Sequence, residues 1–130
     1  MGAGRVSDGI LRILIVEGDP DLGGLWARHL RRQGGEVRLV RSQSEAILAL
    51  QSEEFNIIVL DLILEAGSAL AVADFASYRS PETRVVFVTD STFFSDGSIF
   101  SHSANACAYV RSNTPPEDLA AIVEHYGAAR

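Results

Sequence analysis

Ile13-Leu14-Ile15-Val16-Glu17-Gly18-Asp19-Pro20-Asp21-Leu22 is the stretch that decides the fold. Its opening run of aliphatic residues is short and does not alternate with polar ones, the pattern of a strand buried on both faces. The run breaks at Glu17-Gly18. Asp19-Pro20-Asp21 then supplies a helix N-cap, a first-turn proline and an early acid. Leu22, Leu25, Trp26, His29 and Leu30 follow on one helical face. Arg31 and Arg32 complement the carboxyl end of that helix, and Gly34-Gly35 can end it.

The same alternation continues to the end of the chain. Apolar runs at Leu11–Val16, Val37–Val40, Ile57–Leu60, Val85–Val88 and Ala106–Val110 are each about one buried strand long. Ser42-Gln43-Ser44-Glu45 reads as a capping box ahead of Ala46, Ile47 and Leu50, and Thr114-Pro115-Pro116-Glu117 reads the same way ahead of Leu119, Ile122, Val123 and Tyr126. A third helix is predicted from Ser68 to Tyr78, stopping before Pro81. A fourth, over Ser91–Asn105, has a weak pattern: five serines, Gly97 and no clean apolar stripe. Residues 1–9 are expected to form a flexible N-terminal segment ahead of one domain over 10–130. Strands and helices alternating at this spacing imply a parallel, doubly wound α/β sheet with helices on both faces. Such sheets bind ligands just beyond the carboxyl ends of their strands.

Composition narrows the function classes. A chain of 130 residues is one domain's worth and buries roughly two-thirds of its unfolded surface. Apolar residues at 47% and charged residues at 22% argue against a mostly disordered chain. No apolar run approaches the roughly 20 residues of a membrane span. Met1–Gly9 lacks the apolar segment of a secretory signal, and Val6 stands where a myristoylation signal wants Ser or Thr. Eleven basic residues, all Arg, against seventeen acids give a net charge of −6. An acidic chain is poorly suited to clamp phosphate backbones, so direct nucleic-acid binding is not expected, nor is a membrane partner. Cys107 stands alone, which excludes an internal disulfide and a multi-cysteine zinc site. The expectation is a soluble, cytosolic domain. His29, His102 and His125 show no metal-ligand spacing, and Trp26 and Cys107 read as core residues.

Chemistry is therefore sought at the strand ends, which read Glu17-Gly18-Asp19, Asp61, Thr89-Asp90 and Arg111-Ser112. Converging carboxylates repel unless protons or a cation intervene, and a hard divalent ion such as Mg²⁺ is the natural guest. An aspartate beside such an ion, with a hydroxyl nearby, can accept a phosphoryl group. The competing reading is plain: helix-capping acids and a solvated rim.

Ile13–Pro20, Ile57-Ile58-Val59-Leu60-Asp61-Leu62-Ile63-Leu64, Val85-Val86-Phe87-Val88-Thr89 and Ala108-Tyr109-Val110 together resemble a response-regulator receiver domain of the chemotaxis-receiver type. The resemblance runs from about Ile10 to Tyr126. It implies a five-stranded parallel sheet in order 2-1-3-4-5 flanked by five helices. It also implies transfer of a phosphoryl group, with Mg²⁺, from a histidine kinase or a histidine phosphotransfer protein. On that resemblance Asp61 is the phosphoacceptor, and Glu17, Asp61 and the Ile63 backbone carbonyl form the metal shell, with Asp19 as a further candidate. Thr89 is the switch hydroxyl and Tyr109 the aromatic switch. Asn105 stands where the family often has a helix-ending Gly.

Departures from the family are concentrated at the site. Gly18 takes the second acidic position and provides no side-chain oxygen. Ser112-Asn113 replace the Lys-Pro pair on the fifth strand, so Ser112 takes the catalytic lysine's place, and Arg111 should point to the opposite face. Asp90 replaces a small residue after the switch threonine, and Glu65 and Ala69 replace a common Pro and Gly. Weak or absent Mg²⁺ binding is expected, because a site that works by neutralising charge has lost a ligand and a cation. Two functions stay open: a receiver with a weakened site, or a pseudo-receiver that binds its partner without phosphate. A flavodoxin-like phosphate binder would need a glycine-rich turn, which Glu17-Gly18-Asp19-Pro20 is not. With no output segment in the sequence, the effect would pass by contact to an unidentified downstream protein. Arg28, Arg31, Arg32, Arg38 and Arg41 form either a solvated face or a docking site for an acidic partner. Phe93, Phe94 and Phe100 are either core or an exposed patch, on the helix-four, strand-five, helix-five face through which such domains form homodimers.

Overall fold

The computed structural model describes residues 9–89 and 105–128. Residues 1–8 of the expected segment 1–9, Asp90, His102, Phe93, Phe94, Phe100 and nearly all of the expected fourth helix lie outside the described residues. The elements are β1 (Arg12–Val16), α1 (Pro20–Arg32), β2 (Glu36–Val40), α2 (Gln43–Ser52), β3 (Ile57–Asp61), α3 (Ala69–Arg79), β4 (Arg84–Thr89), β5 (Ala106–Arg111) and α4 (Pro116–Ala128). The five strands form one parallel sheet in the order β2-β1-β3-β4-β5, as expected. β2, β3, β4 and β5 extend past their apolar runs by a residue at one or both ends, because the backbone ladder does not depend on side-chain polarity. β1 instead starts one residue inside its run, at Arg12. Asp61 is itself still in register with Val88.

Period-two alternation divides the core into two layers. Leu14, Val16, Ile58, Leu60, Val85 and Phe87 pack on the α2–α3 side with Ala46, Leu50, Val72 and Ala76. Ile13, Ile15, Ile57, Val59, Val86 and Val88 pack on the α1–α4 side with Trp26, Leu30, Leu119 and Val123. Both faces of β1, β3 and β4 are covered, which is why these strands read as continuous hydrophobic runs. Cys107 is half-buried against the second layer, and burial pushes its thiol up to about 11.

Helix ends follow their local chemistry. Asp19 Oδ1 accepts the N–H groups of Asp21 (2.9 Å) and Leu22 (3.4 Å), capping α1. At the other end Gly34, with φ +97°, donates to the Arg31 carbonyl and Gly35 to that of Leu30. Ser42 caps α2 through the Glu45 N–H, but the Glu45 carboxylate reaches past the cap to the Arg41 N–H at 2.8 Å. Ser68 caps α3 through the Ala71 N–H.

The expected stripe of α1 needs one correction. Leu25 is 37% exposed, and the buried face is Gly23, Trp26, Ala27 and Leu30. A Cβ at Gly23 would stand 2.8 Å from Leu39 Cδ1, so the helix closes on β2 along the glycine and turns Leu25 outward. The segment before Asn105 lies outside the described residues, and Asn105 itself ties strands together. Its Nδ2 donates to the Thr83 carbonyl (2.9 Å) and its own carbonyl accepts from Val85 (3.0 Å). Around the outer edge of β2, Arg12 pairs with Glu36 and Glu53, and Arg38 with Glu53. Among the described residues no helix is long and apolar enough to cross a membrane.

Ile58 lies fully buried in the central strand, in register with Leu14 and Val85. Truncation to Ile58→Ala should cost about 2–5 kcal/mol of unfolding free energy. Urea denaturation followed by Trp26 fluorescence measures this, with the midpoint lowered and the slope unchanged.

Candidate functional site

Glu17 and Asp61 come together through strand register. Val16 pairs with Leu60, so Glu17 and Asp61 are the next residues along neighbouring parallel strands and share one side of the sheet. Glu17 is only 3% exposed because α1 passes over it at Gly23, whose absent Cβ would lie 3.4 Å from Glu17 Cβ. The Asp19 N–H donates to Glu17 Oε2 at 3.0 Å, and the Ile63 N–H donates to Asp61 Oδ1 at 2.9 Å. Glu17 Oε1 is buried and receives no donor from the rest of the described protein. Two facing carboxyls are both acceptors, so neither satisfies the other unless a proton or a cation lies between them.

Burial pushes the Glu17 carboxyl up to about 8, and the neighbouring Asp61 carboxyl pushes it the same way. The Asp19 N–H pulls in the opposite direction and does not compensate.

These residues open onto a cleft of about 530 Å³ beyond the strand ends, lined among others by Gly18, Asp19, Leu22, Leu64, Glu65 and Ser112. Ile63 lines it as well, 67% exposed, just past Asp61. The described lining carries four carboxylates (Glu17, Asp19, Asp61 and Glu65) and no basic side chain. Ser112 stands at this rim, its N–H bonded to the Thr89 carbonyl at 2.9 Å, whereas exposed Arg111 does not line the cleft. Thr89 is buried at the end of β4, and Tyr109 packs from β5 against the α2–α3 layer. Asp19 lines the cleft, but its Oδ1 is engaged in capping α1.

A hard divalent cation fits this donor set in part. Two carboxylates suffice for a Mg²⁺ ion that keeps water or phosphate in the rest of its shell. Orphaned Glu17 Oε1 is a donor of the right kind. Yet among the described residues no group of three or more His, Cys, Asp or Glu side chains is arranged to hold a metal, because Gly18 brings none. Glu65, which the sequence presented as a loop replacement, is a rim carboxylate held by Arg41 at 3.2 Å.

No family model matches the chain. Over 78 residues, 60% of its length, it is 32% identical to the response regulator protein PilR of Pseudomonas aeruginosa, covering 18% of that protein. Over 79 residues, 59% of its length, it is 32% identical to the nitrogen assimilation regulatory protein NtrX of Azorhizobium caulinodans, covering 17% of that protein. The chain thus spans less than a fifth of the length of these curated relatives. A solved CheY-like response-regulator receiver domain from Methanospirillum hungatei superposes with a TM-score of 0.82 at 25% identity, covering 91% of this chain and 94% of that one. In fold, and over much of its length in sequence, the chain matches response-regulator receiver domains.

The raised Glu17 carboxyl has a stability signature. Between its ordinary value of 4.5 and about 8 the folded protein holds a proton that the unfolded chain releases. Stability should therefore fall as pH rises across that window and level off above it. Glu17→Gln should flatten the profile, and added Mg²⁺ should raise the melting temperature more at pH 8 than at pH 6. Thermal unfolding at a series of pH values measures both.

Proposed function

We propose that this chain is a response-regulator receiver domain that accepts a phosphoryl group on Asp61 and signals by protein–protein contact. The observation that carries this reading is the pairing of Asp61 with buried Glu17 at the ends of β3 and β1, in a cleft at the carboxyl edge of a sheet ordered 2-1-3-4-5. The phosphodonor is a phosphohistidine of a histidine kinase or phosphotransfer protein. An Asp61 oxygen forms the new P–O bond as the P–N bond breaks, and the electron pair leaves with the imidazole nitrogen, which takes up a proton. Glu17, Asp61 and the Ile63 carbonyl would hold Mg²⁺, which when bound neutralises charge on the transferring group. The Ile63 N–H holds one Asp61 oxygen and leaves the other to react. Thr89 and Tyr109 act as the switch pair, and Ser112 offers a hydroxyl donor without the positive charge of a lysine.

That missing charge supports a second reading, a pseudo-receiver whose partner binds without phosphate. Glu65 is paired with Arg41, and no basic side chain in the described lining offsets the repulsion of an incoming phosphoryl group by the remaining acids. Each lost electrostatic contact is worth roughly 3–4 kcal/mol, or about 10²–10³ in rate. The site is therefore a slow one, and a cation from the donor protein would speed it.

Acetyl phosphate with Mg²⁺, followed by intact mass, separates the two readings. On the receiver reading the wild type gains one phosphoryl group, Asp61→Asn gains none, and Ser112→Lys gains it about 10²-fold faster. Adduct on Ser112→Lys with none on the wild type would establish the pseudo-receiver.

A further inference from the structure

We infer that Gln43, the first residue of α2, is a positioning residue that clamps the β3–α3 loop over the cleft, and that Gly18 is the gap into which the clamped loop seats. Gln43 holds the loop through both its backbone and its side chain. Its N–H, one of the donors a helix start leaves without an intrahelical partner, donates to the Ala66 carbonyl at 3.0 Å. Its Oε1 accepts the Ser68 N–H at 2.8 Å. Between them Gly67, with φ +94°, lies so close that a Cβ there would be 2.3 Å from Gln43 Cβ, which only glycine permits. Arg41 also reaches Glu65, but that pair is half-exposed and contributes little.

On the opposite side the same loop abuts β1. A Cβ on Gly18 would stand 3.0 Å from the Glu65 backbone nitrogen and 3.4 Å from Glu65 Cβ. A side chain at position 18 makes this backbone give by a few tenths of an ångström, and the Gln43 bonds are what resist that shift. The number of oxygen ligands at the cleft is therefore set jointly by Gly18 and by a residue on a different helix. This second half rests on the proposed metal-assisted receiver function; the clamp itself does not.

Full-length variants test the two halves separately. In a cycle of Gly18→Ala and Gln43→Ala, Gly18→Ala should lower the melting temperature by about 4 °C with Gln43 in place, and by less than half as much in the Gln43→Ala background. Gln43→Glu keeps an acceptor for the Ser68 N–H and should behave as the wild type. With Mg²⁺ alone as the titrant in calorimetry, Gly18→Asp/Gln43→Ala should bind about tenfold more tightly than Gly18→Asp. Additive melting shifts would overturn the clamp, as would equal Mg²⁺ affinity in those two variants. Coupled shifts with no Mg²⁺ binding by any variant would support the clamp and overturn the metal reading of the cleft.

Discussion

Two carboxyl groups forced side by side in a half-closed space are the constraint around which the rest is arranged. Parallel pairing of β1 with β3 fixes Glu17 next to Asp61, and neither can leave without breaking the ladder behind it. Little of Glu17 meets solvent, because α1 lies over it at Gly23. The protein has therefore built a position where a proton or cation is needed, using only strand register and a close helix crossing. The two layers of aliphatic packing hold that register. A one-residue slip would reverse every buried side chain of the strand.

Much of this was legible in the sequence for a simple reason. Strands buried on both faces are continuous apolar runs, and Asp19, Ser42 and Ser68 announce the helices they cap. Register was legible indirectly: with strand ends marked by Glu17, Asp61, Thr89 and Ser112, a parallel sheet puts those residues on one edge. Leu25 was misplaced because a hydrophobic pattern weighs side chains and gives no weight to Gly23, whose value is the side chain it lacks. Glu65 and Gln43 were not legible as site residues. Their importance lies in where the β3–α3 loop runs, and that path is set by contacts between segments more than twenty residues apart.

Gly18 reads differently in sequence and in space. As a substitution it is a lost ligand. In the fold it is occupied volume, since the Glu65 backbone nitrogen lies 3.0 Å from where a Cβ would stand. Ser112 is a different kind of departure. It lies at an open rim where a longer side chain meets solvent, so charge could return there without repacking. The two changes remove comparable chemistry, but one is anchored in the packing and the other is confined to the surface.

The charged border of β2 also limits how the molecule can assemble. This strand is paired only on its β1 side, so its outer backbone groups form an open edge. Glu36 and Arg38 are exposed along it and are tied into ion pairs with Arg12 and Glu53. An incoming strand would have to desolvate these charges and displace Arg31, which donates to the Val37 carbonyl at 3.1 Å. Growth of the sheet at this end is thereby opposed by charge, with no covering element needed.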